Sequence, residues 1–433
     1  MKRETAVLHA GFRSDPATRA VSVPIYQNVA YELEGDLGHI ADVYNVRADG
    51  YTYTRIINPT NRALERRWAA VEGAPDSLAT ASGQAATFTA IGNLIGHGPG
   101  GNVVTSPYLY GNSWNLLHNT FRRMGIEARV ADPLDPASFE RQIDDRTLCL
   151  FGETLSNPKL VPFPIAEIAE IGRRHGVPLI IDNTTTPLVC RPGERGAAIT
   201  TYSATKYIGG HGTTVAGLVV DAGRFDFAAQ PERFPLFSGP DDAHGNILWS
   251  DAIGDVDDLG GSAYLLKARM TWVRDTGGAI APFNAFQLIQ GIETLPLRMA
   301  RHSENAAQVA DMLSRHPKVE RVTYPGLFGG REREIVDDTL SGDYGHGAML
   351  MFDVIGGEPA GRRLVTHVQL LYHVSNVGDA RSLITHPVST THTTMPREAR
   401  EKAGIFDGSI RLCVGLEHPD DIIRDLERAL EHV

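Results

Sequence analysis

The stretch Thr201-Tyr-Ser-Ala-Thr-Lys206-Tyr-Ile-Gly-Gly-His-Gly212 decides how this chain reads. It sets one lysine, Lys206, behind two hydroxyl residues, Ser203 and Thr205, and ahead of Gly209, Gly210 and Gly212. The apolar run Val177-Pro-Leu-Ile-Ile181 closes on Asp182, 24 positions before the lysine. A desolvated lysine can form a Schiff base with an aldehyde. Hydroxyls beside it, with glycines that permit close backbone approach, can hold a phosphate. A carboxylate at a strand end can pair with a pyridinium nitrogen. Singly, each part has a plainer reading: lysines beside turns mostly lie on the surface, and Asp182-Asn-Thr suits a helix N-cap. Together they describe a site for pyridoxal 5'-phosphate, with Lys206 and Asp182 as its chemical centre.

Outward from this stretch, short apolar runs alternate with helical ones. Strands are expected at Ser77–Thr80, Asn102–Thr105, Glu127–Val130, Leu148–Gly152, Leu179–Asp182, Ile199–Tyr202 and Gly217–Val220. A helix is expected from Phe163 to His175, where Ile165, Ile168, Ala169 and Ile171 recur at helical spacing before Gly176. Another should begin at Arg62 and stop at Gly73. This repetition argues for an α/β fold around a mostly parallel sheet covered on both faces. Residues 1 to about 62 lack periodicity and read as an extended arm. Residues 221 to about 275 are less regular, with loops expected at Phe237–Gly245 and Gly254–Gly261. A long helix follows from about Pro282 to His316. Beyond it the pattern is α+β, with strands near Val319–Tyr324, Gly347–Val354 and Ser409–Val414 and a closing helix at Asp420–Glu431.

At 433 residues the chain is long enough for two domains with substantial cores. A formal net charge of -11 argues against a general nucleic-acid surface. Cys149, Cys190 and Cys413 are too widely spaced for a metal-ligand pattern or a disulfide framework, and each falls in or beside an apolar run. The start Met-Lys-Arg-Glu-Thr-Ala-Val lacks the apolar core of a signal peptide, and no window has the length of a membrane span. A soluble cytoplasmic protein is expected, with no membrane or nucleic-acid partner.

Further candidates sit just past expected strand ends. Ser82-Gly83-Gln84-Ala-Ala follows the first strand and opens a helical run, where free backbone N–H groups make an anion site. Tyr110 follows Asn102–Thr105 and could stack on a flat cofactor, although a core tyrosine fits as well. Asn157, in Glu153-Thr-Leu-Ser-Asn-Pro158, could bond the phenolic oxygen of the cofactor or form a plain Asn-Pro turn. Arg411 lies inside the apolar run Ser409-Ile-Arg-Leu-Cys-Val414, which is costly without a partner. A substrate carboxylate is its natural bidentate partner, and a structural salt bridge is the alternative. His373, His386, His392 and His211 carry neither an HExxH pattern nor a cysteine pair, so no metal site is expected. The glycine clusters at 98–101 and 209–212 do not make a GxGxxG after a strand.

Several stretches match a known pattern. They are Leu8-His-Ala-Gly, Val23-Pro-Ile-Tyr-Gln, Tyr53-Thr-Arg-Ile-Ile-Asn-Pro-Thr-Asn61, Ser82-Gly-Gln-Ala-Ala, Leu109-Tyr-Gly and Phe151-Gly-Glu-Thr. Ser203-Ala-Thr-Lys-Tyr-Ile-Gly-Gly-His-Gly-Thr213, Ala281-Pro-Phe-Asn-Ala-Phe, Asn376-Val-Gly-Asp-Ala-Arg-Ser-Leu and Ile410-Arg-Leu-Cys-Val-Gly-Leu-Glu-His follow. On these the chain resembles the Cys/Met-metabolism family of pyridoxal-phosphate enzymes, in its sulfhydrylase branch.

The resemblance implies a type I fold, with a seven-stranded sheet in a large domain (62–295), a smaller α+β C-terminal domain (296–433) and an arm (1–61) reaching a neighbouring subunit. It implies that Lys206 carries the cofactor, Asp182 pairs with its ring nitrogen, Tyr110 stacks on the ring and assists proton transfer, and Asn157 touches the phenolic oxygen. Gly83, Gln84, Ser203 and Thr205 would hold the phosphate, and Tyr53 and Arg55 would reach the phosphate of a neighbouring subunit. Arg411, with Asn157 and the Ser375-Asn376 segment alongside, would bind the substrate. The implied activity is replacement of the acetate of O-acetyl-L-homoserine by sulfide, giving L-homocysteine, in a homodimer paired into a tetramer. The succinyl ester, cysteine as nucleophile, and elimination are the alternatives within the family. The sequence departs from the family pattern at Asp182-Asn-Thr-Thr-Thr-Pro187, one residue short, at Tyr202 for a common histidine, at Asn112-Ser113, and at Tyr372 and Ser375. These touch the shape of the substrate pocket.

Overall fold

The computed structural model describes residues 1–433 apart from 34–35, 97–99, 341, 394 and 403. Positions 98–99 of the 98–101 cluster therefore lie outside the described residues. Seven strands form one sheet: β1 (Asp76–Thr80), β2 (Asn102–Thr105), β3 (Glu127–Val130), β4 (Thr147–Glu153), β5 (Leu179–Asp182), β6 (Ile199–Tyr202) and β7 (Gly217–Asp221). Their order across the sheet is β1-β7-β6-β5-β4-β2-β3. The run from β3 to β6 is parallel, and β7 is antiparallel to both β6 and β1. β1 therefore points the same way as the parallel strands, and the C-terminal ends of β1, β2, β4, β5 and β6 share one edge. Ligands of parallel sheets bind beyond that edge.

Burial on both faces explains why the strands other than β3, the partly exposed edge strand, are legible in the sequence. All seven residues of β4 are buried, including Thr147 and Glu153, which extend it past the expected Leu148–Gly152. The helix expected from Phe163 starts at Ile165, after Pro164, and ends at Arg174. The helix expected from Arg62 starts at Pro59, because the Asn58 side chain accepts the Thr60 N–H at 2.9 Å and proline suits the first turn.

The extended arm expected over residues 1–61 is a misreading in two places. Arg3–His9 and Leu37–Tyr44 are helices. The first packs Ala6 and Val7 against the helices Pro59–Glu72 and Pro282–Arg315 of its own chain. Seven residues with two buried apolar side chains give too little periodicity to read. Residues 221–275 also hold short helical turns, among them Pro235–Ser238, which runs into the loop expected at Phe237–Gly245. Aromatic packing rather than periodicity fixes that turn: Phe227, Phe234, Phe237 and Tyr264 sit in one buried cluster.

A second sheet has the order β10-β11-β12-β9-β8, from β8 (Val319–Thr323), β9 (Met349–Val354), β10 (Tyr372–His373), β11 (Leu383–Thr385) and β12 (Ser409–Cys413). β10 and β11 are too short to stand out in the sequence. The helix Pro282–Arg315 continues unbroken through Pro296 and touches both halves, from Arg3–His9 and Pro59–Glu72 to β8, β9 and the helix Pro419–Glu431.

Two buried polar features support the first sheet. Glu65 Oε2 accepts from Arg62 Nη1 at 2.7 Å and Arg269 Nη2 at 2.6 Å, and Asp76 takes Arg62 Nη2 at 3.0 Å. Glu72, at the end of the same helix, has its carboxyl pushed up to about 7 by burial, against the pull of the Tyr202 hydroxyl and the Arg191 and Arg3 charges. Among the described residues no helix is long and apolar enough to cross a membrane.

Candidate active site

Lys206 lies in the turn after β6, and its Nζ donates to Asn376 Oδ1 at 2.6 Å. Burial and the nearby Arg411 charge hold this amine below the ordinary lysine range. Asn376 arrives from the second sheet because Gly378, two residues on, passes against the lysine turn. A Cβ on Gly378 would stand 2.5 Å from the Tyr207 nitrogen and 3.0 Å from Lys206 Cβ, and its φ of +74° is one that glycine adopts freely. Arg298 of the helix Pro282–Arg315 holds the turn from below, donating to the carbonyls of Tyr207 at 2.7 Å and Ile208 at 3.2 Å. Sequence reasoning missed Arg298, and no local signal marks it.

Arg411 sits in β12, 7% exposed, where burial lowers its pKa. It bonds Asn157 Oδ1 and the Asn376 carbonyl, both at 3.1 Å. Both partners are neutral oxygens, so the structural salt bridge is not what holds it. A buried guanidinium held this way can take a carboxylate in bidentate fashion. Asn376 thus touches both the amine and the guanidinium.

Asp182 ends β5. Its Oδ1 accepts the Thr184 N–H at 2.9 Å and the Thr184 hydroxyl at 2.5 Å. Burial raises its pKa, and the Thr184 bonds draw it back. Thr184 Oγ1 also accepts the Ser203 N–H at 2.7 Å, tying the acid to the lysine segment.

The donor set fits a phosphate. Ser82 caps the helix Gly83–Gly92, its side chain accepting from Ala85. The Gly83 and Gln84 N–H groups are thereby left in the first turn without intrahelical carbonyls. Gly83 abuts Ser203, and a Cβ there would fall 2.5 Å from Ser203 Cβ and 2.7 Å from its Cα. Only glycine lets Ser203 come this close, which sets the helix N-terminus and the lysine segment side by side as an anion cradle. The Thr205 hydroxyl donates to the Ala216 carbonyl at 3.2 Å and accepts its N–H at 3.1 Å, holding the chain beside the cradle. A buried acid, an amine of depressed pKa and an anion cradle are tied together through Thr184 and Ser203, a set that fits pyridoxal 5'-phosphate.

Tyr110 is 43% exposed and opens the helix Gly111–Asn115. Its hydroxyl accepts from Asn112 Nδ2 at 3.2 Å, so one of the unusual residues of this chain lies on the phenol. The Asn157-Pro158 peptide is cis. Ser375 is exposed next to Asn376. Tyr53 and Arg55 are exposed on the arm, with the guanidinium 5.2 Å from the ring centroid. Among the described residues, neither side chain hydrogen-bonds to the groups above. His386 is spent on Ser389 Oγ at 2.8 Å and the Asp407 carbonyl at 2.9 Å.

Glu153, at the end of β4, is the second residue that sequence reasoning passed over. Its Oε1 accepts the Tyr110 N–H at 2.6 Å and its Oε2 the Asn157 N–H at 3.3 Å. The available signal was a carboxylate closing a buried strand, the same signal that singled out Asp182.

Residues 4–431 match the sequence profile of the Cys/Met metabolism PLP-dependent enzymes. The O-acetyl-L-homoserine sulfhydrylase of Leptospira meyeri is 41% identical over 436 aligned residues, covering 100% of this chain and 97% of the relative. The homocysteine synthase of Schizosaccharomyces pombe is 39% identical, over 99% of this chain and 98% of its own. A crystal structure from Campylobacter jejuni, assigned as an O-acetylhomoserine (thiol)-lyase and carrying N'-pyridoxyl-lysine-5'-monophosphate, superposes with a TM-score of 0.91. It is 36% identical and covers 100% of both chains.

Proposed function

Because the chain belongs to the family of Cys/Met metabolism PLP-dependent enzymes, we propose that it replaces the acetate of O-acetyl-L-homoserine with sulfide, giving L-homocysteine. The observation that carries this reading is the joint hold of Asn376 on Lys206 and Arg411. It sets a proton-accepting amine beside a group that grips an amino-acid carboxylate. The printed functions of the full-length relatives supply the ester and the nucleophile.

Pyridoxal 5'-phosphate supplies, when bound, an electron sink for the bonds of the amino acid it carries. Lys206 would hold it through the amine, Asp182 through the ring nitrogen, and Gly83, Gln84, Ser203 and Thr205 through the phosphate. Asp182 would keep a proton on that nitrogen, the role for a carboxylate at the edge of the sheet. Arg411, with Asn157 and Ser375 alongside, would orient the substrate carboxylate. Lys206, its pKa depressed, would take the proton from Cα and move the proton at Cβ as a general base. Tyr110, beside the entry, would stack on the ring and assist proton transfer as the Cγ–O bond breaks and the Cγ–S bond forms.

The same reading gives an arm at 1–61, a large domain at 62–295 and a C-terminal domain at 296–433. It makes a dimer the smallest active unit, paired into a tetramer, with Tyr53 and Arg55 offered to a second copy. Exposed Val21, Val29, Leu37 and Tyr44 on the arm support this. Three buried free cysteines agree with a cytoplasmic setting.

The test is homocysteine release from acetyl- and succinyl-homoserine with sulfide, with cysteine and with no nucleophile. Preference for the acetyl ester with sulfide is expected, and any other preferred pair would replace this assignment by a sister reaction. Lys206→Ala should lose both turnover and the visible absorbance of bound cofactor. Retained turnover would overturn the role of the lysine.

A further inference from the structure

Glu153 and Asp182 are Cα partners in the register of β4 and β5. Paired residues of neighbouring parallel strands present their side chains to the same face. Two carboxyl groups therefore stand side by side at the edge where the cofactor would lie. Asp182 takes two bonds from Thr184, both on Oδ1. Glu153 is 6% exposed and turns both oxygens to backbone N–H groups, those of Tyr110 and Asn157. Burial and the neighbouring Asp182 push the Glu153 carboxyl well above its usual range.

We propose that Glu153 is a positioning residue of this site, pinning the backbone of Tyr110 and Asn157 beside Asp182. The inference rests on the cofactor reading above. The reach of the residue is wide for a single side chain. Tyr110 comes from the loop after β2 and opens a helix, and Asn157 comes from the turn after β4. Asn157 Oδ1 in turn accepts from Arg411 at 3.1 Å. Glu153 thus sets the heights of the ring-stacking phenol and of the amide that steadies the carboxylate-binding guanidinium, without touching either ligand. Removing it takes the acceptor from two partly buried N–H groups, a loss of the size that changes an affinity about ten- to a hundredfold.

Glu153→Ala and Glu153→Gln test this in the full chain. The readouts are the dissociation constant of pyridoxal 5'-phosphate by fluorescence quenching, the visible circular dichroism of the bound cofactor, KM and kcat measured separately, and thermal unfolding of the apo protein. Glu153→Ala should bind cofactor about ten- to a hundredfold more weakly, with diminished visible dichroism and a raised KM. Glu153→Gln keeps one acceptor and meets the second N–H with an amide donor. It should fold and show a smaller change in the same direction. A lowered apo melting temperature with unchanged affinity, dichroism and KM would mean a purely structural residue and would overturn the proposal. If the alanine variant does not fold, wild-type affinity, dichroism and KM in Glu153→Gln overturn it equally. The wild-type measurement stands apart: a parent chain that binds no cofactor would sink the functional reading, and this inference with it.

Discussion

The Lys206 amine donates to Asn376 Oδ1 at 2.6 Å, joining residues 170 positions apart in the chain. The same asparagine accepts from Arg411 through its carbonyl, so the amine and a buried positive charge share one anchor. Burial and that charge depress the amine's pKa. The neutral amine, the form that attacks an aldehyde, is thus populated at lower pH than in a free lysine. The rate at which the apo protein captures pyridoxal 5'-phosphate should rise with pH, with a midpoint below the ordinary lysine range. Arg411→Met should move that midpoint upward. Stopped-flow absorbance across a pH series measures both, and a midpoint indifferent to Arg411 would count against the coupling.

Gly83→Ala should weaken cofactor binding. The added Cβ meets Ser203 at its Cα and Cβ, 2.7 and 2.5 Å away, and backbone cannot swing aside. Overpacking of this kind costs about 1–3 kcal/mol, or roughly a tenfold rise in the dissociation constant. Titration of the apo variant with cofactor, beside its thermal unfolding curve, separates loss of the cradle from loss of the fold.

Glu72 predicts a pH dependence of stability at a distance from the reactive amine. Its folded pKa is raised from 4.5 to about 7. A carboxyl raised in the folded state contributes fully below its unfolded value, and that contribution fades as pH climbs through the folded value. The chain should therefore lose about 3 kcal/mol from this group between pH 4.5 and 7. Glu72→Gln should flatten that part of the profile, as read by urea unfolding at a series of pH values.

Glu65→Gln should be among the most damaging changes outside the site. It leaves Arg62 and Arg269 buried with Asp76 as the one remaining acid of the cluster. Breaking a buried pair in this way costs about 3–5 kcal/mol. Denaturant unfolding should show the loss, and a change below about 1 kcal/mol would mean that water or rearrangement replaces the lost acceptor.

What was legible in the sequence follows from range. Leu179–Asp182 and Ile199–Tyr202 end where their apolar runs end, because the pattern of a doubly covered strand is written in consecutive residues. The lysine segment and Asp182 stood out for the same reason. Arg3–His9 did not, since a helix of two turns burying Ala6 and Val7 leaves almost no period. Glu153 and Arg298 did not, because the bonds that give them their place reach backbone atoms 43 and 91 positions away. The letters around Glu153 show a carboxylate closing a buried strand, and they do not show which N–H groups it serves. The contact of Asn376 with the amine belongs to the same class. Its segment could be placed near the substrate, and the bond itself could not.

Two hydrogen bonds cross between the sheets in opposite senses, Lys206 to Asn376 and Arg411 to Asn157. Each half of the molecule thus finishes the other's reactive group. Severed between β7 and β8 into separately expressed pieces, the chain would yield one fragment with an unanchored amine and another whose guanidinium has lost its Asn157 partner and keeps the Asn376 carbonyl. Only reassociation could restore either. Evolution has correspondingly little room to shuffle these halves as interchangeable modules, and they must be inherited together.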